Sequence, residues 1–129
     1  MYLVEIVTLI ALLQFMLFGF QVGRARGKFG VKAPAVSGNE DFERVYRVQM
    51  NTLELLVLFL PSMWIAAQYV PPSVAAGLGC LYLIGRVLYS LAYKTNPSKR
   101  SAGFLLSICP IFVLILIGLA GAFGAAVAA

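Results

Sequence analysis

Four long apolar runs separated by short polar stretches set the pattern of this 129-residue chain. The first runs from Tyr2 to about Val22 and is followed by Arg24, Arg26, Lys28 and Lys32. Its only early charge is Glu5, the wrong sign for a cleavable leader, which carries positive charge before its apolar stretch. Gly27, Gly30, Pro34, Ser37 and Gly38 predict a loop reaching to about Glu40. A second helix is expected to start near Asn39 to Phe42, with Asn39 or Asp41 as N-cap and acids in the first turn. It is polar as far as Glu54 and uncharged, predominantly apolar, from Leu55 to Val70, with Pro61 as a point of bending. Pro71-Pro72-Ser73 forms an uncharged turn. A third helix follows from about Val74 to Tyr93, then a basic loop from Lys94 to Arg100. A fourth runs from about Ala102 to Val127, with Pro110 expected to kink it.

Composition turns these helices into membrane spans. The chain is 61% hydrophobic and 12% charged, against about 25% charged in soluble proteins. Four spans of ~20 residues use about 80 residues and leave only short loops. The expectation is one domain over residues 1–129, an all-α integral membrane four-helix bundle. The excess of ten Lys and Arg over five Asp and Glu marks topology; it does not mark a nucleic-acid surface. The loop after the first helix and the loop after the third hold the basic residues, while the second loop and both tails hold none. Both basic loops are therefore expected on the cytoplasmic side, with both termini outside. Arg24, Lys28, Lys32, Lys94 and Lys99 read as anchors among the lipid headgroups.

The chain has no histidine, which excludes His-based triads and His-ligated metals. No metal site is expected. Cys80 and Cys109 lie in apolar runs and are expected to be buried small hydrophobes.

Ionisable groups within membrane segments are costly, so each one asks for a partner. Arg47, Asn51 and Glu54 are spaced by four and three, within roughly 60° on one helical face, and Glu43 extends the stripe outward. Arg86, Tyr89 and Tyr93 form a similar stripe on the third helix, with Tyr82 one turn below. Arg86 is the deepest arginine and reads as structural, with Glu54 the expected interhelical partner. Arg26, Arg47 and Arg100 suit carboxylates, Glu54 suits an amine, and Asn51 suits a peptide amide. A small peptide with two carboxylates and an amine, such as glutathione, matches this set. So does an anionic lipid.

The run from Glu43 to Glu54 resembles the E-R-x-x-R-x-x-x-N-x-x-E signature of the MAPEG family, the membrane-associated proteins in eicosanoid and glutathione metabolism. Arg86, Tyr89, Tyr93 and Arg100 continue the likeness, especially to leukotriene-forming synthases and microsomal glutathione transferases, over about Gln21 to Phe123. The resemblance implies a homotrimer with glutathione, the cosubstrate, bound between subunits. It implies that Arg47, Asn51, Glu54, Tyr89 and Tyr93 of one subunit bind glutathione, with Arg26 and Gln49 contributed by the neighbour. Arg100, with Tyr93, is implied to be catalytic by stabilising the glutathione thiolate. Leu55 stands where the leukotriene-forming branch has a tyrosine, so one aromatic contact is lost. Tyr89 stands where the prostaglandin-forming branch has a histidine, which argues against prostaglandin isomerisation. The expected activity is conjugation of glutathione to a hydrophobic electrophile from the bilayer, in a bacterial inner membrane with the site on the cytoplasmic side. Reduction of lipid hydroperoxides and non-catalytic lipid binding are the alternatives.

Overall fold

The structure, a computed structural model, describes residues 1–129 and consists of helices without strands. Helix α1 spans Tyr2–Phe29, α2 Glu40–Ala66, α3 Pro72–Thr95 and α4 Arg100–Ala128, with a short 3-10 turn at Pro97–Lys99. All four are long and apolar enough to cross a membrane. The chain is an integral membrane protein.

Helix α1 is longer than its apolar run. It continues through Gly23 and Gly27, carries Arg24, Arg26 and Lys28 on its last turns, and stops at Gly30, whose φ of 69° is left-handed. The expectation of a loop beginning after Val22 is thus corrected. A glycine inside a helix weakens it by only about 1 kcal/mol, whereas a left-handed residue ends it. Of the two expected candidates, Asn39 and not Asp41 caps α2, its Oδ1 accepting from the Phe42 N–H at 3.0 Å. Helix α2 ends at Ala66, four residues before the apolar run does. Helix α3 begins on Pro72, whose ring suits the first helical turn, and extends past Tyr93 to take in Lys94 and Thr95. The basic loop therefore shrinks to a single turn, and Arg100 opens α4.

Helices α2 and α3 touch every other helix, while α1 and α4 lie on opposite sides and do not meet. The main core joins Val4, Val7 and Ala11 to Phe59, Met63, Tyr82, Ile111 and Leu114. Phe59 and Tyr82 stack with ring centroids 4.0 Å apart, and Trp64 donates to the Thr8 hydroxyl at 2.8 Å. Helices α3 and α4 make the closest approach. A Cβ on Gly85 would lie 2.6 Å from Ser107 Oγ, and one on Gly103 would run into the Tyr89 backbone. Cys80 and Cys109 are exposed, contrary to expectation. The outward surface of a membrane bundle is as apolar as its interior, so apolar neighbours in sequence do not mark burial.

Candidate functional site

The polar groups gather at the end of the bundle that holds the α1–α2 and α3–α4 connections. Arg86 lies at the base, wholly buried. Its Nε donates to Ser107 Oγ at 2.9 Å, and its Nη1 donates to Asn51 Oδ1 at 2.7 Å and to Thr52 Oγ1 at 3.3 Å. Ser107 Oγ in turn donates a hydrogen bond to the Gly103 carbonyl at 2.7 Å. The expected Arg86–Glu54 pair is absent. Glu54 faces outward and meets Arg47 of its own helix at 3.1 Å, with both side chains about half exposed. Burying a carboxylate beside Arg86 would desolvate a second ion, whereas three neutral oxygens take up Nε and Nη1 without that cost, and Nη2 is left buried without a partner.

Above Arg86 lies an open cavity of about 520 Å³ between α2, α3 and the start of α4. Arg47, Asn51, Tyr89, Tyr93 and Arg100 all line it. Helical spacing puts Arg47 and Asn51 on one wall and Tyr89 and Tyr93 on the other, one turn apart in each case. The Arg86 guanidinium sits 4.4 Å from the Tyr89 ring centroid, and the Tyr89 and Tyr93 centroids are 5.4 Å apart. Arg100 rests 5.5 Å from the Tyr93 ring and donates to the Pro97 carbonyl at 2.8 Å. Two arginines, an amide and two phenols thus converge on one polar, anion-attracting space with an aromatic side.

Arg26 and Gln49 stand apart from this cavity within the chain. Arg26 Nη1 donates to the Ala35 carbonyl at 2.7 Å and its guanidinium lies over the Phe42 ring. Gln49 faces α1, with Nε2 beside Gly19. Glu43 accepts from the Gly38 N–H at 3.3 Å, and Arg44 pairs with Glu40 at 2.9 Å, so both brace the start of α2. Sequence reasoning missed Ser98, Ser101 and Phe104 in the lining. The available signal was spacing, since Ser101 follows Arg100 and Phe104 lies one turn on. Helix α4 starts two residues before the expected Ala102, which brings Arg100 and Ser101 into its first turn.

Four helices long and apolar enough to cross a membrane, with an arginine- and tyrosine-lined cavity at one end of the bundle, define a class: small polytopic membrane proteins with a cationic, aromatic cavity between their helices. The chain belongs to the MAPEG family, whose model matches residues 4–120. It is 40% identical to human microsomal glutathione S-transferase 2 over 119 residues, covering 92% of this chain and 81% of that protein. Leukotriene C4 synthase of Cavia porcellus is 35% identical over 119 residues, with 92% and 79% covered. An uncharacterised protein of Synechocystis sp. is 46% identical over 111 residues, with 86% and 81% covered.

Proposed function

We propose that the protein is a membrane-bound glutathione transferase that conjugates glutathione to a hydrophobic electrophile from the bilayer. The observation that carries this reading is the convergence of Arg47, Asn51, Tyr89, Tyr93 and Arg100 on one cavity. The kinship with a microsomal glutathione S-transferase supports it. Arg47 takes a glutathione carboxylate, Asn51 bonds a peptide amide, Glu54 receives the amine, and the tyrosines flank the backbone and the thiol. Arg26 and Gln49 complete the site from a neighbouring subunit of a homotrimer.

Arg100 and Tyr93 activate the thiol. A thiol of pKa near ~8.5 is only a few per cent thiolate at neutral pH, and the thiolate is the nucleophile. Lowering that pKa by two units takes about 2.7 kcal/mol of preference for the anion. A charge-assisted hydrogen bond from the Arg100 guanidinium is of that order. The proton leaves to solvent, the sulfur forms a bond to the electrophilic carbon, and the displaced group departs or the opened ring takes up a proton. Glutathione itself brings the nucleophile, so this mechanism requires neither a protein histidine nor a metal. The positive-inside rule puts the site on the cytoplasmic side, with both termini outside. The Synechocystis relative supports a bacterial inner membrane.

The test is calorimetric titration of the detergent-solubilised protein with glutathione, followed in parallel by ultraviolet absorbance of the thiolate. Binding with a thiolate band, and turnover of an aryl halide, are expected. Turnover of a lipid hydroperoxide but not of the halide would make the protein a peroxidase. An absence of binding at millimolar glutathione would leave a lipid-binding scaffold in place of an enzyme.

A further inference from the structure

A second cavity, of about 440 Å³, opens between the last turns of α1, the start of α2 and the end of α3. It shares no residue with the cavity described above. Arg24, Lys28 and Lys94 line it, with Gln21 and Asp41 as the other polar groups and Ala25, Phe29 and Val45 as an apolar wall. No carboxylate pairs with any of the three cations, and Asp41 is itself turned to Arg44 at 3.8 Å. Lys94 is half-buried and donates to Gln21 Oε1, which holds its ammonium at the cavity wall. Three cations against one acid already committed elsewhere leave a site short of an anion.

The surface leading into this cavity indicates which anion. Leu13, Leu17 and Phe20 are exposed. Counted at ~100° per residue, they share one face of α1 with Gln21, Arg24 and Lys28. This face is therefore apolar for its inner turns and cationic for its last ones. Leu13 and Arg24 are separated by about 16 Å of helix, close to half of a ~30 Å hydrocarbon core. A ligand that matches the whole face has an anionic head and a chain one leaflet long.

We propose that this cavity is a binding site for an acidic membrane phospholipid. Arg24, Lys28 and Lys94 hold the phosphodiester, and an acyl chain lies along Phe20, Leu17 and Leu13. The site ties α1 to α3 through the lipid headgroup. It goes beyond general attraction of basic residues to a membrane surface, because the three cations share one walled space. It also stands apart from the proposed enzymatic function, since none of its residues lines the other cavity.

The test uses the full-length protein, delipidated in detergent and titrated with phosphatidylglycerol or phosphatidylcholine, with bound lipid and subunit number read by native mass spectrometry. Phosphatidylglycerol is expected to be retained and phosphatidylcholine lost. R24Q/K94Q removes two of the three charge-assisted contacts to the phosphodiester, so it should weaken retention about tenfold or more. The pair K32Q/K99Q removes the same charge outside the cavity, so it should lose only the general surface attraction and lower retention far less. Glutathione binding should be normal in both variants, which shows that each is folded. Equal losses in the two variants would reduce the effect to general surface charge and overturn the site. Equal retention of the two lipids would overturn it too. Displacement of the lipid by millimolar inorganic phosphate would make the source a free anion. A change of subunit number in R24Q/K94Q alone would reassign the cavity to contact between copies.

Discussion

Arg86 is the side chain on which the other polar residues depend. It engages Asn51 Oδ1, so that amide keeps its Nδ2 donors for the cavity, and the same guanidinium backs the Tyr89 ring. Replacing it by leucine removes bonds to Asn51, Thr52 and Ser107 at once, and Thr52 and Ser107 are fully buried. Arg86→Leu should therefore cost about 3 kcal/mol or more of stability, seen as a lower Tm in detergent. Arg86→Lys keeps the charge but cannot fork to two helices, so it should fold with a weaker affinity for glutathione as Asn51 is released. Arg100 makes the opposite kind of contribution. It is exposed and bonds only the Pro97 carbonyl, so Arg100→Ala should leave Tm and glutathione binding nearly unchanged. The thiolate band should disappear in that variant. A band of undiminished strength would transfer the role to Tyr93 or Arg47.

At the scale of elements, the α3–α4 contact sets the spacing between Tyr89, Tyr93 and Arg100. Gly103 admits no side chain, because a Cβ there would fall 2.7 Å from Tyr89 Cα and 3.0 Å from the Gly85 carbonyl oxygen. Gly103→Ala should force the helices apart and lower both Tm and turnover. Gly77, on the same α3, has nothing within 4 Å of its would-be Cβ, and Gly77→Ala should raise stability by about 0.5–1 kcal/mol. Comparing the two Tm values separates close packing from helix propensity. The four helices and the Asn39 cap were legible in the sequence because hydropathy and capping chemistry are local. The polar stripes of α2 and α3 were legible for a similar reason, since spacing fixes the face. The end of α1 was not, because Gly23, Gly27 and Gly30 look alike until one of them adopts positive φ. The partners of Arg86 were hidden as well. Charge complementarity pointed to Glu54, while the actual acceptors are neutral groups that carry no signal in composition. Ser107, one of them, sits in an apolar run with nothing to distinguish it from a tolerated small residue.

On the scale of the whole molecule, the single chain leaves Arg26 and Gln49 away from the cavity that their family resemblance assigns them to. A homotrimer resolves this if each site takes these two residues from the adjacent copy. Arg26→Ala should then weaken glutathione affinity without lowering Tm. Co-expressing Arg26→Ala subunits with Arg100→Ala subunits should regenerate intact sites, and activity should exceed that of either variant alone. If the mixture is no better than its parents, both arginines serve sites within one chain, or Arg26 serves as a plain membrane anchor.

On the proposed function, the ion pair between Arg47 and Glu54 also acts as a filter on charge. Being half exposed, it is worth little by itself, about 0–1 kcal/mol, and exchanges readily for other partners. A monocarboxylate that captures Arg47 strands Glu54, and a monoamine that captures Glu54 strands Arg47. A zwitterion replaces both ends in one event and leaves no charge unanswered. On the proposed function, the resting pair would therefore favour a peptide with a free amino terminus over the fatty acids of the bilayer. Glutathione acetylated on its amine should bind more weakly than glutathione by up to about fivefold, and Glu54→Gln should remove most of that difference.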